Sequence, residues 1–169
     1  VPDATGLELI AHELRDVDAD AVLGTEFARS RAVLLAEPSR VPMIVKTLMG
    51  KGYTFVTSVH GVDYYPDEPR LGVLYEMMDM REVDRITVKA RVSTEDPRIP
   101  SIVGLFPGAN WDEREVYDLF GVVFEGHPDM RRILMPEDFE GHPQRRDYPM
   151  GGEPVLFTYN EETSYGKWQ

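Results

Sequence analysis

The chain has no cysteine in its 169 residues. That excludes disulfides, thiolate zinc sites and cysteine-bound iron–sulfur clusters within it, and it fits a reducing compartment. Cationic excess is also missing: 18 Lys and Arg stand against 30 Asp and Glu, a net charge of −12. Nucleic acid demands a cationic face and anionic lipid attracts basic segments, so both are disfavoured as partners. No apolar run approaches the roughly 18 residues of a spanning helix, so no direct membrane insertion is expected. No signal-peptide pattern opens the chain, although its first residue is Val1 rather than Met, which leaves the N-terminus open. Glycine-rich phosphate cradles, a G-x-S-x-G elbow and H-E-x-x-H are all absent, so no nucleotide, acyl-enzyme or zincin signature is visible.

What is present suits one domain with room for a tail. A chain of this length buries roughly 70% of its unfolded surface and needs no covalent staple. Hydrophobic residues make up 42% and charged ones 28%, a globular composition. Thr5 and Glu8 form a capping box ahead of Leu7, Ile10, Ala11 and Leu14, whose spacing predicts a short helix. Residues 21–27 and 31–36 are short apolar runs that predict a strand pair. Pro38 suits a first helical turn, Val41, Ile44, Val45 and Leu48 form one apolar stripe, and Gly50 and Gly52 end it. Tyr53–Val59 and Leu71–Met78 read as strands. So does the run in which Ile86, Val88, Ala90 and Val92 alternate with Thr87, Lys89 and Arg91. Tight links between these three predict an antiparallel meander. The fold class expected is α+β: a small mixed or antiparallel sheet, two helices in the N-terminal half, a short third helix and a long irregular C-terminal arm. The expected boundaries are a globular domain over 1–108, a short helix plus extended arm over 109–150, and a tail over 151–169.

The region 111–150 differs from the rest in pattern. It holds ten acidic residues, five arginines and two His-Pro pairs, with little amphipathic period. Asn110 is a good N-cap with Glu113 at the capping-box position, which predicts a helix from Trp111 to Phe120 ending at Gly121. Pro128, Pro136, Pro143 and Pro149 then break regular structure. Such a stretch cannot build a core alone and is expected to lie along another surface, ordering on assembly. Its chemistry has two readings. Glu113, Asp118 and His127 could serve a free-standing carboxylate or metal hydrolase. Against that, Glu115 and Asp118 share a helix face, Arg114 can pair with Asp118 four residues on, and each histidine can bond backbone in a turn. Arg131-Arg132 and Arg145-Arg146 suit bidentate pairing with carboxylates, inside the chain or across an interface. Trp111, Tyr117, Phe120 and Phe124 suit a core or an interface.

The order Glu113-Arg114-Glu115, Asp118, Gly121, Phe124, His127-Pro128-Asp129, Arg131-Arg132, Gly141, Pro143, Arg145-Arg146-Asp147-Tyr148-Pro149 resembles the signature of the 30 kDa subunit family of the proton-pumping NADH:quinone oxidoreductase, respiratory complex I. Arg146 stands where that family more usually has lysine. The resemblance implies a non-redox scaffold in the hydrophilic peripheral arm, on the cytoplasmic face of the bacterial inner membrane or the matrix side in mitochondria. It implies no cofactor in this chain, with FMN, iron–sulfur clusters and quinone in neighbouring subunits. It implies that the arm wraps the large hydrogenase-like subunit, which helps form the quinone cavity. An interface role then falls on Glu113, Arg114, Glu115, Asp118, His127, Asp129, Arg131, Arg132, Arg145, Arg146, Asp147 and Tyr148. Similar subunits serve ferredoxin-driven complexes and membrane-bound hydrogenases, so the electron donor stays open.

Overall fold

The computed structural model describes residues 3–149, and the expected tail over 151–169 lies outside them. In chain order it contains helix α1 (Ala4–Val17), strands β1 (Val22–Ala28) and β2 (Arg31–Ala36), and a 3-10 turn at Pro38–Arg40 that runs into α2 (Val41–Gly50). Strands β3 (Phe55–Asp63), β4 (Leu71–Asp79) and β5 (Asp84–Val92) follow, then the short β6 (Arg98–Pro100), helix α3 (Ala109–Phe120) and the short β7 (Val123–Glu125). The class is α+β, as the order of apolar patterns implies.

Local chemistry accounts for most element ends and corrects two. Helix α1 is capped by Asp3, whose carboxylate accepts from the Gly6 amide at 2.7 Å, not by the Thr5–Glu8 box. Asp3 is at least as good a cap as Thr5 and comes earlier in the chain, so the helix is correspondingly long at 14 residues. Helix α3 begins at Ala109 after Gly108 rather than at an Asn110 cap. There the amides of Ala109 and Asn110 already bond the carbonyls of Phe106 and Pro107, so the turn before the helix does the capping.

The sheet is mixed, with strand order β1-β2-β5-β4-β3. The hairpin β1–β2 and the meander β3–β4–β5 are antiparallel, and β2 joins β5 in parallel. Residues in register show how alternation becomes two faces. Leu34, Val88, Tyr75 and Val59 form one row across β2, β5, β4 and β3, all at 3% exposure or less. The adjacent row, Val33, Thr87, Glu76 and Ser58, points to the other, wetter face. Helix α2 contributes Val41, Ile44, Val45 and Leu48 to the core, each wholly buried and each stabilising by about 1.5–3 kcal/mol relative to exposure.

The stretch 111–150 is expected to lack a core of its own and to lie along another surface; its described part, up to residue 149, lies along this chain's own sheet and shares the main core through Val116, Leu119, Phe120, Val122 and Phe124. Helix α3 lies beside β3, where Gly61 lets the Phe120 ring come within 2.4 Å of the place a Cβ would take. The Asp112 carboxylate accepts from the Val59 amide at 2.9 Å and so covers part of that edge strand. Strands β6 and β7 pair in parallel, with Ile99 opposite Phe124, tying the arm to residues before α3.

Candidate partner-binding arm

The arm holds its irregular shape through three sets of polar bonds. The first centres on Asp118, a fully buried carboxylate near the end of α3. Its Oδ1 accepts from Arg132 Nη1 at 2.6 Å. Its Oδ2 accepts the amides of Ile133, Leu134 and Met135 at 3.0, 2.7 and 2.8 Å. Burial pushes the Asp118 carboxyl up, yet the bonds from Met135, Arg132, Leu134 and Ile133 together hold it below the usual carboxylate range. Arg132 also donates to the Gly141 carbonyl at 2.8 Å and lies over the Phe139 ring. Helix α3 ends at Gly121 in the left-handed region, φ 77°, and a Cβ there would meet the His142 ring and the Arg145 guanidinium at 2.5–2.6 Å. Both side chains reach helix-end carbonyls: His142 Nδ1 lies 3.0 Å from the Asp118 carbonyl, and Arg145 Nε donates to Phe120 at 2.6 Å.

The second set ties the arm to the β3–β4 hairpin. Arg70, 7% exposed, grips Asp63 through Nε and Nη2 at 2.8 and 2.6 Å. The same guanidinium holds both oxygens of Asp147 at 2.8 Å. Asp63 further accepts the Arg146 amide at 2.7 Å, and Arg146 Nη1 donates to the Tyr65 carbonyl. The Arg70 guanidinium keeps Asp63 far below the ordinary carboxylate range against the opposing effect of burial, and lowers Asp147 too. A paired, hydrogen-bonded ion set tolerates burial where a lone charge would not.

The third set is shallower. Arg114 donates to the carbonyls of Arg131 and Arg132 at 3.1 Å each and sits 5.4 Å from the Trp111 ring. Asp129 takes Arg131 in a two-pronged contact at 2.7 Å. His127 Nδ1 accepts the Asp129 amide at 3.0 Å, so its Nε2 donates to the Asn110 carbonyl at 3.2 Å. Tyr148 stacks on Phe139 with centroids 6.0 Å apart.

Several expected contacts are rearranged. Asp118 pairs with Arg132 and not with Arg114, because its side chain turns inward under the arm while Arg114 reaches arm carbonyls. His127 and His142 bond backbone in turns, but His12 sits beside Asp16 on α1 and His60 beside Ser58 on β3. Glu115 is exposed and makes no polar contact among the described residues. Glu113 is not a surface ion. It is wholly buried, accepting from Ser101 Oγ at 2.6 Å and the Ile102 amide at 2.8 Å. Burial raises its pKa to about 7, the Ser101 and Ile102 bonds working against it and Asp112 adding to it. A hydrolytic pair of Glu113 and Asp118 with His127 is not assembled: each carboxylate is saturated by donors of its own and closed to solvent. Among the described residues no group of three or more His, Cys, Asp or Glu is placed to hold a metal ion. Nor is any helix among them long and apolar enough to cross a membrane. Asp63 and Arg70, central to the second set, carry no local signal in the sequence. Arg70's second partner, Asp147, lies 77 positions beyond it.

A sequence model of the family described as "Respiratory-chain NADH dehydrogenase, 30 Kd subunit" matches residues 34–154. An NADH-quinone oxidoreductase subunit of Roseiflexus sp. (strain RS-1) is 40% identical over 159 residues, 92% of this chain and 91% of that one. A solved trypsin-resistant fragment of Nqo5 superposes with a TM-score of 0.64 at 34% identity, covering 73% of this chain and 98% of the fragment. A chain from an archaeal membrane-bound sulfane sulfur reductase superposes with a TM-score of 0.71 over 92% of this chain and 95% of its own length; at 22% identity that likeness is one of fold. With its match to the family over most of its length, the chain belongs to the 30 kDa subunit family of the respiratory-chain NADH dehydrogenase, the NADH-quinone oxidoreductase of respiratory complex I.

Proposed function

We propose that the chain is a non-redox scaffold in the peripheral arm of a proton-translocating NADH:quinone oxidoreductase, and that the surface of residues 109–149 holds the large hydrogenase-like subunit of the quinone site. The observation that carries this reading is the internal wiring of the arm. Ordering an irregular segment costs on the order of 1 kcal/mol or more per residue in backbone entropy. Here bonds to Asp118, Asp63 and Arg70 offset that cost, and the result is a fixed shape. A preshaped surface loses less freedom on docking. It displays Trp111 at 60% and Leu134 at 61% exposure, with Glu115 and the Asp129–Arg131 pair alongside. Glu113, Asp118, Arg132, Arg145, Arg146 and Asp147 act as shapers of that surface, and Arg114, His127 and Tyr148 brace it. FMN, iron–sulfur clusters and quinone belong to neighbouring subunits. The chain lies on the cytoplasmic face of the bacterial inner membrane, or the matrix side in mitochondria.

The test is Trp111→Ala combined with Leu134→Ala in the chromosomal copy. Both side chains are exposed, so the isolated chain keeps its melting temperature while the large hydrogenase-like subunit is lost from the affinity-purified complex. Full retention of that subunit would sink the proposal. The proteins that co-purify with the unaltered chain separate the donors: a flavin-bearing module fits NADH, and a ferredoxin-linked or hydrogenase set would replace that reading.

A further inference from the structure

Arginine in this chain is almost always engaged. Of its fourteen arginines, ten place their guanidinium on a carbonyl or a carboxylate among the described residues. The four that make no such contact there are Arg29, Arg31, Arg81 and Arg85, all exposed. They are not scattered. Arg29 and Arg31 flank the β1–β2 turn, Arg81 sits in the turn joining β4 to β5, and Arg85 opens β5, so all four gather at one end of the sheet.

The register makes the crowding specific. Val33 of β2 faces Thr87 of β5 in the parallel pair. Two residues back on each strand, Arg31 and Arg85 reach the same face side by side. Like charges so placed repel, and a chain with net charge −12 has ample carboxylate with which to relieve them. Across the same row Arg85 faces Met78, and Met78 faces Phe55. Phe55, Met80 and Val83 are 48%, 59% and 65% exposed. The turn backbones are held in the left-handed region at Arg29, Ser30 and Val83, with φ of 52°, 59° and 54°. At Arg29 and Ser30 it is the backbone that a two-residue hairpin turn between Ala28 and Arg31 requires, so the turn holds Arg29 at the end of the sheet. Between the two turns lies an open hollow of about 740 Å³, lined by Arg29, Arg31, Arg85, Ser58 and Thr87.

We infer that this end of the sheet is a second docking surface, which receives an acidic segment of another protein of the complex. Guanidinium groups without a carbonyl or carboxylate partner among the described residues offer two-pronged seats for carboxylates, and Phe55, Met80 and Val83 offer the apolar contact found at protein interfaces. A compact anion seated in the hollow would meet Glu76, whose carboxylate lies on the floor and takes the Thr87 hydroxyl at 2.9 Å. An extended acidic chain running along the rim avoids it. The arm bonds the opposite end of the same strands, at Asp63, Tyr65 and Arg70. The molecule thus has two faces, one per neighbour. This inference needs the chain to be part of a multisubunit complex and is independent of which neighbour the arm holds.

The test compares the purified native complex with the isolated full chain. Phenylglyoxal modification, read by mass spectrometry, is expected to label Arg29, Arg31 and Arg85 at least about tenfold more slowly in the complex than in the free chain, the factor for about one charge-assisted bond each. In a second measurement, Arg31→Lys with Arg85→Lys keeps the charge and adds amines for zero-length carbodiimide coupling. Those lysines are expected to join an Asp- or Glu-rich peptide of a neighbouring protein in the complex. Equal labelling in both states overturns the inference. So does coupling only to this chain's own residues 150–169, or slow labelling already in the free chain.

Discussion

Replacing Asp118 by Ala removes one carboxylate, strands the amides of Ile133, Leu134 and Met135, and leaves Arg132 Nη1 with only the Asp118 backbone carbonyl, at 3.2 Å, in place of an ion pair. Asp118 is 0% exposed and the Arg132 side chain 13%, so the pair is close to the buried limit, where removing one partner costs about 3–5 kcal/mol. Water can reach part of this site in the variant, because Leu134 is exposed and Ile133 and Met135 are only half-buried. The lower figure, about 3 kcal/mol, is therefore expected. For a chain of this size that lowers Tm by roughly 6–12 °C. Urea denaturation of the isolated chain measures the free energy, and native-state hydrogen exchange locates it: protection should fall at residues 133–135 and stay in β4 and β5. The pH dependence supplies a sign. The folded carboxyl lies below its ordinary 3.8, so its contribution is present above that value and is lost as the pH falls through the folded one. The gap between variant and parent must narrow in acid. A loss under about 1 kcal/mol, the worth of a surface pair, would refute the idea that this carboxylate organises the arm.

Glu113 gives the opposite pH behaviour. Its carboxyl is raised from 4.5 to about 7, so the stability it contributes is full below the unfolded value and is lost as the pH rises through the folded one. The difference is about 3 kcal/mol. Glu113→Gln should flatten that slope, leaving the variant more stable than the parent at pH 8; denaturation at pH 5 and 8 that shows the same slope in both would contradict this. Gly61→Ala places a Cβ 2.4 Å from the Phe120 ring, so α3 must move off β3 at a cost of about 1–3 kcal/mol. An unchanged melting temperature would show that the approach is not tight.

Much of the frame is legible in the sequence because it is local. The alternation from Ile86 to Val92 names the buried face of β5 directly, and the stripe Val41, Ile44, Val45 and Leu48 names that of α2. The parallel β2–β5 pairing is not legible, since no signal near either strand says that the two, separated in sequence by α2, β3 and β4, will be neighbours in the sheet. The arm illustrates the same limit. Its residues were identifiable as a group by their order, yet Asp118 chose Arg132, fourteen positions on, over Arg114, four back. Geometry decided it: only an inward-facing carboxylate can cap three successive amides. Glu113 looked like one of several helix charges, and its burial depends on Ser101 and Ile102 meeting it from the preceding loop.

The single parallel junction of the sheet also sets how the chain must come together in time. The β1–β2 hairpin and the β3–β4–β5 meander close on short turns and can each form within microseconds. Joining them requires closure of a long loop first, and the reward is only four residue pairs, Val33–Ala36 against Thr87–Ala90. Until that seam closes, the newly made chain carries two half-sheets with bare apolar faces and unpaired edges at β2 and β5. Folding is therefore paced at the centre of the sheet, and the interval before closure is when the chain is most exposed to self-association and most in need of a chaperone.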